Sequence, residues 1–276
     1  MAQPTATTVA VAVPERKAFS FAPAWMAMAS LTVFYILVNW YERTYALQKG
    51  TDYTSPVYVS YWLNWLYAEW VLEATTLAGA WGWLWATRDR HMERLAPDLE
   101  LKRYFNLYLW ALVYAFGIYW GASYFTEQDG DWHMTIIRDT DFTPSHIIEF
   151  YLTYPVYIIF GVTWFVYGRT RLPQFVNRFC VPWLIVVAGP LMILPNVGLN
   201  EFGHTAWIME ELFVAPLHWG FVFFGWAAIA FLGWVTASYP RVAELLGHIY
   251  FGKPCKPAAA LMEDPYADTK AAAVLS

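Results

Sequence analysis

Four of the six histidines stand in two similar frames, and those frames supply what a metal centre needs. The first is Asp129-Gly-Asp-Trp-His133 followed by Pro144-Ser-His146; the second is Asn200-Glu-Phe-Gly-His204 followed by Pro216-Leu-His218. In each, an Asx residue precedes a His by four positions, and a Pro-x-His follows after ten or eleven intervening residues. Residues four apart share one face of a helical turn, so Asp129 with His133, and Asn200 with His204, can address one ion. Proline is favoured in the first turn of a helix, so Pro144 and Pro216 mark helix starts and place His146 and His218 in the opening turn, with Thr143 as an N-cap. An imidazole there feels the positive end of the helix dipole, which favours the neutral, ligating form. As one straight helix, His204 and His218 would stand about 21 Å apart. A shared ion therefore requires the chain to double back, with residues 206–213, including Glu210 and Glu211, running along the membrane interface.

Two imidazoles and a carboxylate form a facial set with open positions, as suited to non-haem iron or zinc as to copper; two imidazoles and an amide oxygen form a more neutral set. A lone His near a helix end is more often a hydrogen-bonded interfacial residue than a ligand. Four in matched frames reverse that weighting, whereas His91 and His248, among charges, keep the structural reading. A second group is acidic: Glu69 and Glu73, four apart, and Glu149, one turn after His146. Ionised carboxylates in hydrocarbon cost several kcal/mol, so these face protein, water or a cation: hydrogen-bond partners of metal ligands, a proton path, or interhelical hydrogen bonds.

The elements that must position these residues are membrane helices. The 276-residue chain is 58% hydrophobic, 20% aromatic and only 14% charged, too apolar for an ordinary soluble domain. Its net charge of -5, with no basic run and no Gly-rich phosphate loop, argues against nucleic acid and nucleotides as partners. Cys180 and Cys255 lie far apart without a C-x-x-C spacing, so neither a disulfide framework nor a thiolate site is indicated. The 17 Trp and 19 Tyr fit interfacial belts and packing.

Stretches of roughly 20 apolar residues, the length needed to cross a bilayer as helix, recur near 23–41, 57–86, 104–125, 146–168, 179–199 and 216–238. The fold class predicted is all-α, an integral membrane helical bundle with about six transmembrane helices. The first span is too long for a signal-peptide core and is read as retained. Arg16, Lys17, Arg88, Arg90, Arg94, Lys102, Arg103, Arg169, Arg171, Arg178, Arg241, Lys253, Lys256 and Lys270 fall on one side, and only Arg43, Lys49 and Arg138 on the other. Both termini are therefore expected in the cytoplasm, and both histidine frames outside it. The organisation predicted is an N-terminal cytoplasmic segment (1–22), a transmembrane domain carrying the metal sites (23–240) and a largely disordered cytoplasmic tail (241–276).

Longer runs extend the pattern: YWGASYFTEQD at 119–129, IRDTDFTPSH at 137–146, GPLMILPNVGLN at 189–200 and MEELFVAPLH at 209–218. Over roughly residues 25–238, most densely 110–226, the chain resembles the C subunit of the particulate methane and ammonia monooxygenase family. The resemblance implies a copper-dependent complex of three different subunits, with A-type and B-type partners, assembled as a trimer of heterotrimers in a bacterial inner or intracytoplasmic membrane. Such a complex hydroxylates a small substrate with dioxygen. It also implies one metal triad at Asp129, His133 and His146, with copper, iron or zinc, and a second copper site at Asn200, His204 and His218, read here as the catalytic one. All six residues are intact. Hydroxylating an inert C–H bond calls for metal chemistry, not acid–base catalysis, and leaves the protein to ligate, exclude water and admit electrons.

Within the family, HIIEF at 146–150 keeps a Glu typical of hydrocarbon oxidisers, while YERTY at 41–45 and KRYF at 102–105 look closer to the ammonia branch. The reading is methane or another short alkane, with ammonia as the alternative. Two other functions compete: a transporter or proton channel using Glu69, Glu73 and Glu149, and a structural subunit braced by metal. The chain lacks the Gly-interrupted helices in matched halves that transporters often use, which counts against the first.

Overall fold

The computed structural model describes residues 19–136, 142–178 and 229–263, and within them every regular element is helical. Helix α1 (Ala22–Lys49) starts with Pro23 in its first turn and ends at Gly50, whose N–H bonds the Ala46 carbonyl at 2.8 Å. In the short loop that follows, the Thr54 amide and hydroxyl both donate to Asp52 Oδ1, at 3.0 and 2.6 Å. Ser55 then caps α2 (Pro56–Tyr58) by accepting from the Tyr58 amide at 3.1 Å. A π turn (Val59–Leu63) joins α2 to α3 (Asn64–Ala86). After a 3₁₀ turn at Met92–Arg94 comes α4 (Pro97–Thr135), with Asp98 and Glu100 in its first turn, where the dipole favours acids. The next described helix is α5 (Pro144–His146), which passes through a second π turn (Ile147–Thr153) into α6 (Tyr154–Arg171). Pro155 lacks an N–H and crowds the carbonyl four residues back, which accounts for the widened turn before it. Helices α7 (Ile229–Phe251) and α8 (Ala258–Met262) complete the described chain.

The first four expected spans coincide with α1, α2–α3, α4 and α5–α6; the fifth, and the sixth as far as 228, lie outside the described residues. The helix of the third span continues past the apolar stretch that ends near 125: α4 has 39 residues, about 58 Å, roughly twice a hydrocarbon core of ~30 Å, and carries Asp129 and His133 on its last turns. The helix of the sixth span likewise runs on past 238. Helix α7 continues to Phe251 and stops at Gly252, which takes φ 64° so that its own N–H and that of Lys253 bond the carbonyls of His248 and Gly247 at 3.1 and 3.2 Å. Beyond it α8 packs on the 3₁₀ turns at Met92–Arg94 and Pro173–Phe175, while 264–276 lies outside the described residues.

Helix α4 is the spine, packed by α1, α6 and α7, with α3 against α6. One buried cluster joins α4, α6 and α7 around Tyr104, Leu107, Trp164 and Trp234; another joins the later half of α1 to α2 and the first π turn, the second π turn and Trp132 near the end of α4. Large apolar side chains also point outward, among them Trp25 (68% exposed), Leu37 (57%), Val71 (65%) and Leu232 (60%). Apolar exposure on this scale marks contact with lipid or with other subunits. Among the described helices α1 combines length and apolarity enough to cross a membrane by those criteria alone, with mean hydropathy 1.4.

The helix pairing gathers the basic segments at one end. Arg103 bridges to Asp89 at 2.7 Å and donates to the Arg171 carbonyl, also at 2.7 Å. Arg241 makes a two-pronged pair with Glu100, at 2.9 and 2.6 Å, with side-chain exposures of 4% and 0%. The opposite end holds the C-terminus of α1, the 50–55 loop, the end of α4 and α5.

Candidate functional site

At that opposite end the first histidine frame is built. Asp129 and His133 sit four residues apart on the closing turns of α4, and α4 packs directly against α5, whose last residue is His146. Trp132, next to His133, shares a buried cluster with Ile147 and Ile148, next to His146. The fold thus brings the helix end bearing two candidate ligands against the helix start bearing the third. The side chains of Asp129, His133 and Glu149 lie outside the described residues, as do all of Asn200, His204 and His218, Glu210, Glu211 and Cys180. His146 is the one candidate ligand with a described side chain, so no group of three metal-ligating side chains occurs among the described residues.

His146 is fully buried, at 0% exposure, and its ring stacks on Phe150 at 4.4 Å between centroids and 27° between planes. Thr143 occupies the expected N-cap position in extended backbone, and its carbonyl accepts the first bond from the Ile147 amide at 2.9 Å. Its hydroxyl does not cap the helix; it lies 3.4 Å from Ser145 Oγ.

Three neighbours fix this turn, and none stood out in the sequence. The Tyr58 hydroxyl donates to the Phe142 carbonyl, tying the chain just before Pro144 to α2. Trp62 is fully buried beside it. Gly50 lies flat against Pro144: a Cβ at position 50 would run into Pro144 Cγ while standing 2.5 Å from the Ala46 carbonyl and 3.1 Å from Trp62 Nε1. The signal for Gly50 was a glycine closing a helix; that a proline from a distant segment presses on it could not be read. Glu42 was also missed. It is buried at 3% on the same stripe of α1 as Tyr35, Val38 and Ala46.

Glu69 and Glu73 occupy one face of α3, away from the loop, with Glu69 only 3% exposed. Neither Glu69 oxygen nor Glu73 Oε1 forms a well-made hydrogen bond among the described residues, although the Trp65 indole is beside Glu69. His91 is exposed beside Glu93 at 3.5 Å, and His248 Nδ1 pairs with the Lys253 carbonyl at 2.9 Å, so both serve structure at the basic end.

A helical bundle with outward-facing apolar rows has the build of a membrane-embedded protein. The chain belongs to the family of the C subunit of ammonia monooxygenase/methane monooxygenase, whose model matches residues 5–249. It is accordingly a membrane component of a multi-subunit monooxygenase. None of the curated proteins matches it.

Proposed function

We propose that this chain is the metal-holding membrane subunit of a copper-dependent monooxygenase that hydroxylates methane or another short alkane with dioxygen, alongside A-type and B-type subunits in a trimer of heterotrimers. The observation that carries the reading is the burial of His146 against the helix end that bears Asp129 and His133. A fully buried imidazole flanked by an Asp–x₃–His helix face is the donor chemistry of a copper, iron or zinc site. Asn200, His204 and His218 repeat that donor pattern, and we assign oxygen chemistry to them.

When bound, copper supplies the redox chemistry of dioxygen that a C–H bond requires. The protein's own tasks follow from the packing. Phe150, stacked on the His146 ring, limits its rotation, and Trp132, Ile147 and Ile148 keep water from the side of the turn they cover. Gly50, Tyr58 and Trp62 hold that turn at its distance from α4. The clustering of basic segments at the far end supports six membrane spans with both termini cytoplasmic and this site on the outer side. A site at helix ends near the interface is reachable by an apolar substrate dissolved in lipid.

Metal-resolved anomalous diffraction on the intact complex is the test: copper is expected at both frames, and His133→Ala and His204→Ala each to empty one of them. Full copper and full activity in both variants would refute the assignment. A panel of methane, propane, butane and ammonia on the same complex separates the alkane reading from the ammonia one, which the 41–45 and 102–105 segments favour.

A further inference from the structure

Away from the histidine frames, a slot of about 380 Å³ opens between α3, α4 and α6. On α3 it runs from Thr76 to Leu84 and on α6 from Ile159 to Tyr167, eight helical steps on each, or about 12 Å, close to the ~15 Å depth of one leaflet. An apolar slot of that length suits the tail of one lipid chain. The walls are almost entirely apolar, and Trp83 at the rim is 64% exposed, so the slot opens outward.

One end differs from the rest. Asn106 donates to the Tyr167 hydroxyl at 3.0 Å, closing the slot with a polar pair. Immediately beyond, Arg171 reaches back to the Leu84 carbonyl at 3.2 Å and to Thr87 Oγ1 at 2.6 Å, and Arg88 lies over the Trp85 ring at 4.7 Å. Asp89 is taken by Arg103, so neither Arg88 nor Arg171 has a carboxylate within ion-pair distance among the described residues. Apart from its bond to the Trp85 carbonyl, Arg88 has no acceptor among them.

We propose that this slot binds one acyl chain of an anionic phospholipid whose phosphate rests on Arg88 and Arg171. Guanidinium forks match phosphate oxygens, and basic pockets between helices on the cytoplasmic side suit anionic headgroups. The proposal rests on the multi-pass reading given above, which turns this end toward the cytoplasm.

The test uses the whole complex in nanodiscs doped with photoactivatable phosphatidylglycerol or with phosphatidylcholine carrying the same photoactive chain. Phosphatidylglycerol should label peptides spanning 76–84 and 159–167 in preference to phosphatidylcholine, and Arg88→Gln should cut that preference by about fivefold. Equal labelling by the two lipids would overturn the headgroup assignment while leaving the membrane spans standing. Label elsewhere on α3 but none in the slot would overturn the acyl chain itself, as a slot filled by a neighbouring subunit would show. Absence of label from α1, α3, α4 and α6 alike would instead bring down the multi-pass reading.

Discussion

Replacing Gly50 by Ala asks whether the contact that seats the histidine turn matters for metal. Two effects oppose each other. Gly50 has φ -116°, a conformation open to alanine, so the substitution stiffens the unfolded chain and would stabilise by ~0.4–1 kcal/mol if space allowed. Space does not allow it: the new methyl meets Pro144 Cγ and stands 2.5 Å from the Ala46 carbonyl, and that oxygen is fixed by its bond to the residue 50 amide. Overpacking against backbone costs ~1–3 kcal/mol, so at the middle of both ranges the clash wins by roughly 1 kcal/mol. Pro144 belongs to the 142–146 turn, so a clash relieved by a shift of that turn shifts His146 with it.

Gly50→Ala is therefore expected to lower both the thermal midpoint of the purified complex and the copper held at the Asp129, His133 and His146 frame, with the second frame spared. Gly79→Ala is the control, because a Cβ there meets nothing within 4 Å and a mid-helix glycine costs ~0.5–1 kcal/mol relative to alanine; it should raise the midpoint. Adding Pro144→Ala to Gly50→Ala removes the opposing Cγ and should restore part of the lost copper, a coupling readable as a double-mutant cycle. If Gly50→Ala kept full copper and an unchanged midpoint, the seating argument would be wrong, and so would the claim that α1 helps to place His146.

Arg241→Ala strands the fully buried Glu100 carboxylate and should cost ~3–5 kcal/mol, seen as lost assembly or a large fall in midpoint, while Glu100→Gln with Arg241→Met should recover most of it. Burial works against the charge on Glu244, but the Lys256 amide at 2.5 Å and Arg241 at 2.9 Å outweigh it and hold its pKa below the usual 4.5. A depressed carboxylate stabilises above its unfolded pKa and loses that contribution as pH falls through the folded value. Amide protection over 252–263, with the intrinsic rates divided out, should therefore fall below about pH 4.5, and in Glu244→Gln it should be low already at neutral pH. Glu69→Gln keeps volume and removes an ionisable group that lacks a well-made hydrogen bond, so the complex should assemble normally on a sizing column; Glu69→Lys should prevent assembly.

What could be read in the sequence was local. Proline at 144 announced a helix start because its fixed φ and missing N–H act within one turn, as they also do at 56 and 97, and the four-residue spacing of Asp129 and His133 placed both on one helix face because such effects are local. Hydropathy located the apolar slab but not the helix ends. Residues 126–131 are polar and still helical, and α1 runs on through Glu42, Arg43 and Thr44 to Lys49, since a helix does not stop where lipid does. What could not be read depends on pairs distant in the chain: Tyr58 with Phe142, Gly50 with Pro144, and Glu100 with Arg241, 141 positions apart. Apolar residues are sparse over 252–263, yet this stretch folds back behind a glycine cap, with one arginine held by two glutamates and α8 against the 3₁₀ turns. At the histidine frame the donor atoms are encoded by short spacings that any segment could carry, whereas the distance between α4 and α5 is set by α1 and α2, which contribute no ligand. Substitutions that tune the metal without touching a ligand should therefore concentrate at Gly50, Tyr58, Trp62 and Trp132, where the elements meet, and not along the lipid-facing rows of the same helices.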